Sequence, residues 1–329
     1  MTTKEKVLHY LEQFQSRVVS GQEIADQLRL SRNSVWKAVK ALQTDGVAIT
    51  ALANKGYQLD AVPDSLAKNR ILPLLDEKPD YIAVHSSIDS TNNVAKTLVA
   101  EQAVAKGVIL SEEQTKGRGQ LGRQFYSPEK TGLYMSLIYK NDLQVDAASL
   151  TTAAAVAVCK AIETLTGKQP GIKWVNDIFL EGKKICGILT EGIISMETGT
   201  IDTIIVGIGL NVRQPERVPE EIKSVLGALF TETTPPITRN QLAGEIINQM
   251  GNLYKNLKEN THLEEYRKRC FILGENVSFK DRESGEVREG TAHSIDEEGS
   301  LVVQLTNGRQ QTLRYGEISI NIKEMRTTV

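Results

Sequence analysis

Residues 173–191 read Lys-Trp-Val-Asn-Asp-Ile-Phe-Leu-Glu-Gly-Lys-Lys-Ile-Cys-Gly-Ile-Leu-Thr-Glu. The apolar run Ile178-Phe179-Leu180 leads into the turn Glu181-Gly182-Lys183, and residues 184–191 return as a partner strand, so this stretch predicts a β-hairpin. A second hairpin follows, turned at Thr198-Gly199-Thr200 and ending in an apolar strand over 203–212. Upstream, residues 81–84, 108–110 and 132–140 read as strands. Residues 92–103 read as a helix with Val94, Ala95, Leu98 and Val99 inward, and residues 147–165, apolar almost all round, as a buried helix. A further helix is expected over 241–257. Hairpin-linked strands with helices inserted early imply an α+β unit with a mixed or antiparallel sheet. Regular crossover helices between strands are missing from the pattern, which excludes a Rossmann domain.

Just after the strand at 108–110 comes Lys116-Gly117-Arg118-Gly119-Gln120-Leu121-Gly122-Arg123. Glycines allow close backbone approach, and arginines present planar charged forks to phosphate oxygens. The loop suits closure over a phosphorylated group, although a solvated basic turn has the same composition. It lacks the Gly-Lys-Ser/Thr ending of a Walker A loop and the helical continuation of a dinucleotide fingerprint.

Residues 1–62 form a first domain. Val7, Leu8, Leu11 and Phe14 have helical spacing, and Ser20 with Glu23 predicts a capping box. Ile24, Ala25 and Leu28 mark a short helix. After the turn at Leu30-Ser31, Val35, Ala38, Val39 and Leu42 line one face of the next, ended by Asp45-Gly46. The other face shows Arg32, Asn33, Ser34, Lys37 and Lys40, a helix-turn-helix pattern with Ser31 as cap. A small hairpin tipped by Asn54-Lys55-Gly56 would be its wing. The domain carries eight Lys/Arg against six Asp/Glu in a chain of net charge −2, which favours a local basic face over bulk attraction to nucleic acid. A protein-docking module would have the same elements. Pro63 marks a boundary, residues 66–270 form the central domain, and short evenly spaced strands over 271–329 predict a small barrel.

At 329 residues, 40% hydrophobic and 24% charged, the chain is an ordinary multidomain globular protein. No apolar run is expected to reach membrane-span length, and the polar N-terminus lacks a signal peptide's apolar stretch. The expected location is cytoplasmic, with no membrane partner. Cys159, Cys186 and Cys270 lack metal-type spacing, and no metal ligand set is expected.

Several motifs recur in order: Ser90-Thr91-Asn92, Gln114, the Gly117–Arg123 loop, Lys173-Trp174-x-Asn176-Asp177, Lys184-x-x-Gly187-Ile188-Leu189 and Gly207-Ile208-Gly209-Leu210-Asn211. Together they resemble the biotin–protein ligase family, and with residues 1–62 its bifunctional bacterial members, which also repress the biotin operon. The resemblance covers nearly the whole chain. It implies a winged helix-turn-helix, a central mixed-sheet domain like a class II synthetase, and an SH3-like C-terminal barrel.

It also implies a chemistry. A carboxylate does not acylate an amine in neutral water, because its oxygen leaves poorly. ATP, accompanied by Mg²⁺, converts biotin to biotinyl-5′-AMP, and the acyl group passes to a lysine of a biotin carboxyl carrier domain of acetyl-CoA or pyruvate carboxylase. Lys184 and Arg118 are the implied catalytic cations. Biotin contacts fall to Ser90, Thr91, Asn92, Gln114, Arg118, Gly119, Gln120, Lys184 and Gly187. Nucleotide contacts fall to Gly117, Arg118, Arg123, Phe125, Lys173, Asn176, Asp177 and Asn211, and DNA contacts to Ser31, Arg32, Asn33, Ser34, Lys37 and Lys40. The adenylate would promote a homodimer that binds operator DNA of biotin genes. Two departures stand out: Gln120 replaces the family's arginine, implying a looser hold on the adenylate, and Val175 replaces a common proline. The rivals are a lipoate-type ligase and a ligand-sensing repressor without turnover.

Overall fold

A computed structural model of the protein describes all residues except 1, 15–16, 45–46, 61–63, 103, 233–234, 282–283, 315–317 and 321–329. Asp45-Gly46 and Pro63 therefore lie outside the described residues. The chain divides into two compact units, Met1–Ser65 and Leu66–Val329.

In the first unit, helices α1 (Thr3–Gln13), α2 (Gly21–Leu28) and α3 (Arg32–Thr44) precede the antiparallel strands β1 (Ile49–Leu52) and β2 (Gly56–Leu59). Their apolar faces make one closed core from Val7 to Leu59. The Ser20 hydroxyl accepts the Glu23 N–H at 3.0 Å. The expected box is only half formed, because the Glu23 carboxylate turns instead toward Arg17, 3.4 Å away. Asn54 at the wing tip has φ +58°, a left-handed conformation that asparagine tolerates.

The second unit opens with a one-turn helix, α4 (Lys68–Ile71), and is built on seven strands: β3 (Tyr81–His85), β4 (Lys106–Ser111), β5 (Gly132–Lys140), β6 (Gly171–Lys173), β7 (Asp177–Leu180), β8 (Lys183–Ile194) and β9 (Ile201–Asn211). Their order is β3-β4-β5-β9-β8-β7-β6, and the pairing is parallel between β3 and β4 and antiparallel elsewhere. Sheet alternation sends Leu133, Met135 and Leu137 of β5 and Ile204, Val206, Ile208 and Leu210 of β9 into one core with α6 (Ala147–Thr166). Ile138 and Ile205 point the other way, onto α5 (Thr91–Glu101). On that second face β9 continues as Gly207 and Gly209. The missing side chains leave the space in which the site forms.

Helix α6 starts at Asp146, whose carboxylate accepts the Ala148 and Ser149 N–H groups, and ends at Gly167. Contrary to the expectation from sequence, it is long and apolar enough to cross a bilayer by length and composition, but 67% of its apolar window is buried in the protein. It is a core helix: Leu150, Val156, Val158 and Ile162 are buried, while Lys160 and Glu163 are partly exposed.

After the one-turn helix α7 (Glu220–Lys223) come α8 (Arg239–Lys255), α9 (His262–Arg269) and strands β10 (Asn276–Lys280), β11 (Val287–Ile295), β12 (Leu301–Leu305), β13 (Gln310–Leu313) and β14 (Ile318–Ile320). These strands form an all-antiparallel sheet in the order β13-β12-β11-β10-β14. It is not a separately packed body: Val277, Phe279, Ala292, Ile295, Leu301 and Val303 belong to the same core as α6. Five short strands bury too little apolar surface by themselves, so the sheet completes its core against the central domain.

Candidate functional site

A cavity of about 320 Å³ opens on the α5 side of the sheet. Its lining draws on the start of α5, the glycine loop, the β6–β7 connection, β8 and β9. Ser90, Thr91, Asn92, Gln114, Arg118, Gly119, Gln120, Arg123, Phe125, Asn176, Asp177, Lys184 and Gly187 all line it, as do Gln124, Trp174, Ile188, Leu189 and Ile208. Gly117, Lys173 and Asn211 lie outside the lining. A Cβ on Gly117 would run into the carbonyl of Phe125, so that glycine serves the loop's own packing. Asn211 donates from its buried amide to the Gly227 carbonyl at 3.0 Å, and Lys173 sits on β6 opposite Asp177.

One end of the cavity is a polar cluster. Ser90 precedes α5 but its side chain makes no cap hydrogen bond. The cap is supplied from a distance: the Gln114 carbonyl accepts both the backbone N–H (2.8 Å) and hydroxyl (3.1 Å) of Thr91, and its amide donates to the Ser127 hydroxyl at 3.0 Å. The Ser136 hydroxyl lies 2.8 Å from Thr91 Oγ1 and 2.6 Å from Asn92 Oδ1. Asn92 donates to the Leu189 carbonyl and to Glu191 Oε2. These small polar groups, expected to meet a ligand, are also oriented by one another before one arrives.

The other end carries charge. Lys184 extends from β8, whose backbone is fixed there by bonds between Lys184 and both Val225 and Gly227. Its ammonium lies 2.6 Å from Asp177 Oδ1, with both side chains part-buried. Lys183, the preceding residue, is exposed. Asn176 donates to the Ile188 carbonyl at 2.6 Å, which fixes the hairpin beside this pair. Arg118, from the loop, donates to Asn93 Oδ1 at 3.0 Å and lies 3.3 Å from Glu191 Oε1. The loop is closed by a bond from Gly119 N–H to the Arg123 carbonyl at 2.7 Å.

Phe125 roofs the middle. A Cβ on Gly209 would sit 2.5 Å from its ring, and one on Gly187 3.2 Å. What approaches Gly187 closely is thus the phenyl ring. Trp174 is buried, and its indole N–H donates to the Gly299 carbonyl at 3.0 Å, so the C-terminal sheet braces the cavity wall. Among the described residues no group of three or more His, Cys, Asp or Glu is placed to hold a metal.

Sequence reasoning missed Glu191, Ser136 and the exposed Trp36. On α3, Arg32, Asn33, Lys37 and Lys40 are exposed as expected, and Trp36 stands among them at 50% exposure. Ser31 accepts the Ser34 N–H at 3.1 Å and so caps the helix.

Residues 84–211 match the biotin/lipoate A/B protein ligase family, residues 3–58 a helix-turn-helix domain and residues 272–320 the biotin protein ligase C-terminal domain. The bifunctional ligase/repressor BirA of Bacillus subtilis is 32% identical over 314 residues, covering 93% of this chain and 95% of that protein. Its Escherichia coli namesake is 28% identical over 318 residues, covering 93% and 94%. The biotin protein ligase of Aquifex aeolicus, solved in complex with biotin and ATP, superposes with a TM-score of 0.61 at 27% identity, over 73% of this chain and 98% of that one.

Proposed function

The chain belongs to the biotin protein ligase family, in its bifunctional ligase/repressor form, and on that premise we propose that it adenylates biotin, transfers it to a carrier lysine and represses biotin-synthesis genes. The observation that carries the reading is one cavity in which a polar cluster at Thr91 and Gln114, apolar Phe125 and Leu189, and the cations Lys184 and Arg118 converge. A ureido ring has N–H donors and a carbonyl beside an apolar bicycle, which suits that sequence of walls.

In the first step a biotin carboxylate oxygen attacks the α-phosphorus of ATP, and pyrophosphate leaves with the P–O bond electrons. Both reactants are anions. Lys184, on a strand and part-buried, offsets their repulsion where charge builds, and a fixed charge in a water-poor site acts more strongly than one in water. Asp177 holds the ammonium at 2.6 Å, so anions that approach Lys184 share or replace that carboxylate. In the second step the acceptor amine attacks the acyl carbon of biotinyl-5′-AMP and AMP leaves. Mg²⁺ travels with the ATP phosphates and needs few protein ligands. Asp177, the carboxylate lining the cavity, would hold it through water, where it would neutralise phosphate charge.

The acceptor is a biotin carboxyl carrier domain of acetyl-CoA or pyruvate carboxylase. The adenylate promotes a homodimer, and a two-fold protein matches a palindromic operator of biotin genes. The exposed basic face of α3 supports the DNA contact. Pyrophosphate release that requires biotin, followed by label transfer to a carrier domain, is the expected result. Labelling with lipoate instead overturns the biotin assignment, and ligand binding without pyrophosphate release overturns the ligase.

A further inference from the structure

We propose that Glu191 is a positioning residue that ties Arg118 of the glycine loop to helix α5 and to strand β8, holding the loop over the cavity before ligand binds. The inference rests on the adenylation reading above. Glu191 does not line the cavity; it acts through residues that do.

Three donors converge on its carboxylate. Lys96 Nζ lies 2.7 Å from Oε1, Arg118 Nη2 lies 3.3 Å from the same oxygen, and Asn92 Nδ2 donates to Oε2 at 2.8 Å. Arg118 gives a second bond to Asn93 Oδ1 at 3.0 Å. The loop is thereby fastened at one point of α5 and one of β8, the strand that also bears Lys184, and Lys96 and Asn92 join α5 to the same carboxylate. The carboxylate is better shielded than its partners, at 19% side-chain exposure against 36% for Lys96 and 42% for Arg118. Burial pushes the Glu191 carboxyl up, but the bonds from Lys96 and Asn92 and the two nearby cations outweigh it and hold the carboxyl below its ordinary range.

Three glycines between 117 and 122 leave the loop with much backbone freedom to lose. An arginine on such a loop is placed reproducibly only if its neighbours hold it. A guanidinium has five N–H donors. Asn93 and Glu191 engage one terminal nitrogen each, so two contacts occupy only part of the donor set of a guanidinium that also lines the cavity.

The test is Glu191→Gln in the full-length protein, which keeps the size and removes the charge. In the ligand-free variant, amide hydrogen exchange over 117–123 should quicken by about tenfold through easier local opening, while β5 and β9 exchange as in the wild type. Biotinyl-5′-AMP dissociation, followed by stopped flow, should quicken by about tenfold. In the double variant with Arg118→Gln, dissociation should be no faster than in Arg118→Gln alone. Wild-type exchange in the loop, equal loosening of the loop and the central strands, or additive dissociation effects would each overturn the proposal. A wild type that releases no pyrophosphate with biotin and ATP refutes the ligase reading instead. The exchange measurement needs no ligand and still decides the tie.

Discussion

Lys183 and Lys184 are neighbours in sequence and opposites in surroundings. Strand alternation leaves one in solvent and sets the other against Asp177 inside the cavity. Lys184→Ala should lower biotin-dependent pyrophosphate release by roughly 10²–10³-fold, the usual effect of losing one group that stabilises developing negative charge. Lys183→Ala should stay within about twofold, as exposed substitutions generally do. A Lys184→Ala enzyme within a few-fold of wild type would remove the residue from the mechanism. The distinction was legible in the sequence, because Lys184 directly precedes the apolar pair Ile185-Cys186 at the start of a returning strand. The roles of Glu191 and Trp174 were not. Glu191 meets Lys96 across 95 residues and Trp174 meets Gly299 across 125, and no local pattern encodes such partners. Gln114 shows the intermediate case. Its place in the site was legible, but not its work as a distant cap of α5, since an amide's partner is set by the fold.

Helix α3 shows what periodicity gives and what it omits. Val35, Ala38, Val39 and Leu42 were legible as its inner face and are buried. The complementary face is legible as a basic face, but that pattern does not single out Trp36 on it. Arg32, Trp36 and Lys40 are spaced i, i+4, i+8 and so lie in one row, flanked by Asn33 and Lys37. An exposed indole in the middle of a basic face has an apolar edge to offer the thymine methyl groups of a major groove. Lys37→Ala should weaken operator binding and reduce the slope of log affinity against log salt by about 0.9, the loss of one phosphate contact. Trp36→Ala should weaken operator binding more than binding to random duplex and leave that slope unchanged. Fluorescence anisotropy with both DNAs over a range of salt separates the two effects. Equal weakening on both duplexes would show that Trp36 does not read bases.

Across the whole molecule, the two units keep separate cores, and each contains one of the chain's two tryptophans, Trp36 and Trp174. The larger unit also contains a buried titrating group. His262, at the start of α9, is 3% exposed, and its Nε2 lies 2.9 Å from the Thr152 hydroxyl on α6. Burial, with Arg267 nearby, lowers its pKa from 6.5 to about 4. Between those values the unfolded chain binds a proton that the folded chain does not, so stability is full above pH 6.5 and falls as the pH drops toward 4. The loss should reach about 3 kcal/mol at 1.36 kcal/mol per unit. Depressed carboxyls such as Glu163 work differently: their contribution is present above the unfolded pKa of 4.5 and is lost only below it. The window from pH 6.5 to 4.5 therefore isolates the histidine from them. In a Trp36→Phe background, Trp174 fluorescence follows denaturant unfolding of the larger unit by itself. The unfolding midpoint should fall steadily as the pH is lowered through that window, and His262→Asn, which retains a polar group for Thr152, should flatten the trend whatever it does to the midpoint at pH 7. An undiminished pH slope in His262→Asn would mean that the proton is taken up elsewhere, and that the contact between α6 and α9 does not set the acid sensitivity of this unit.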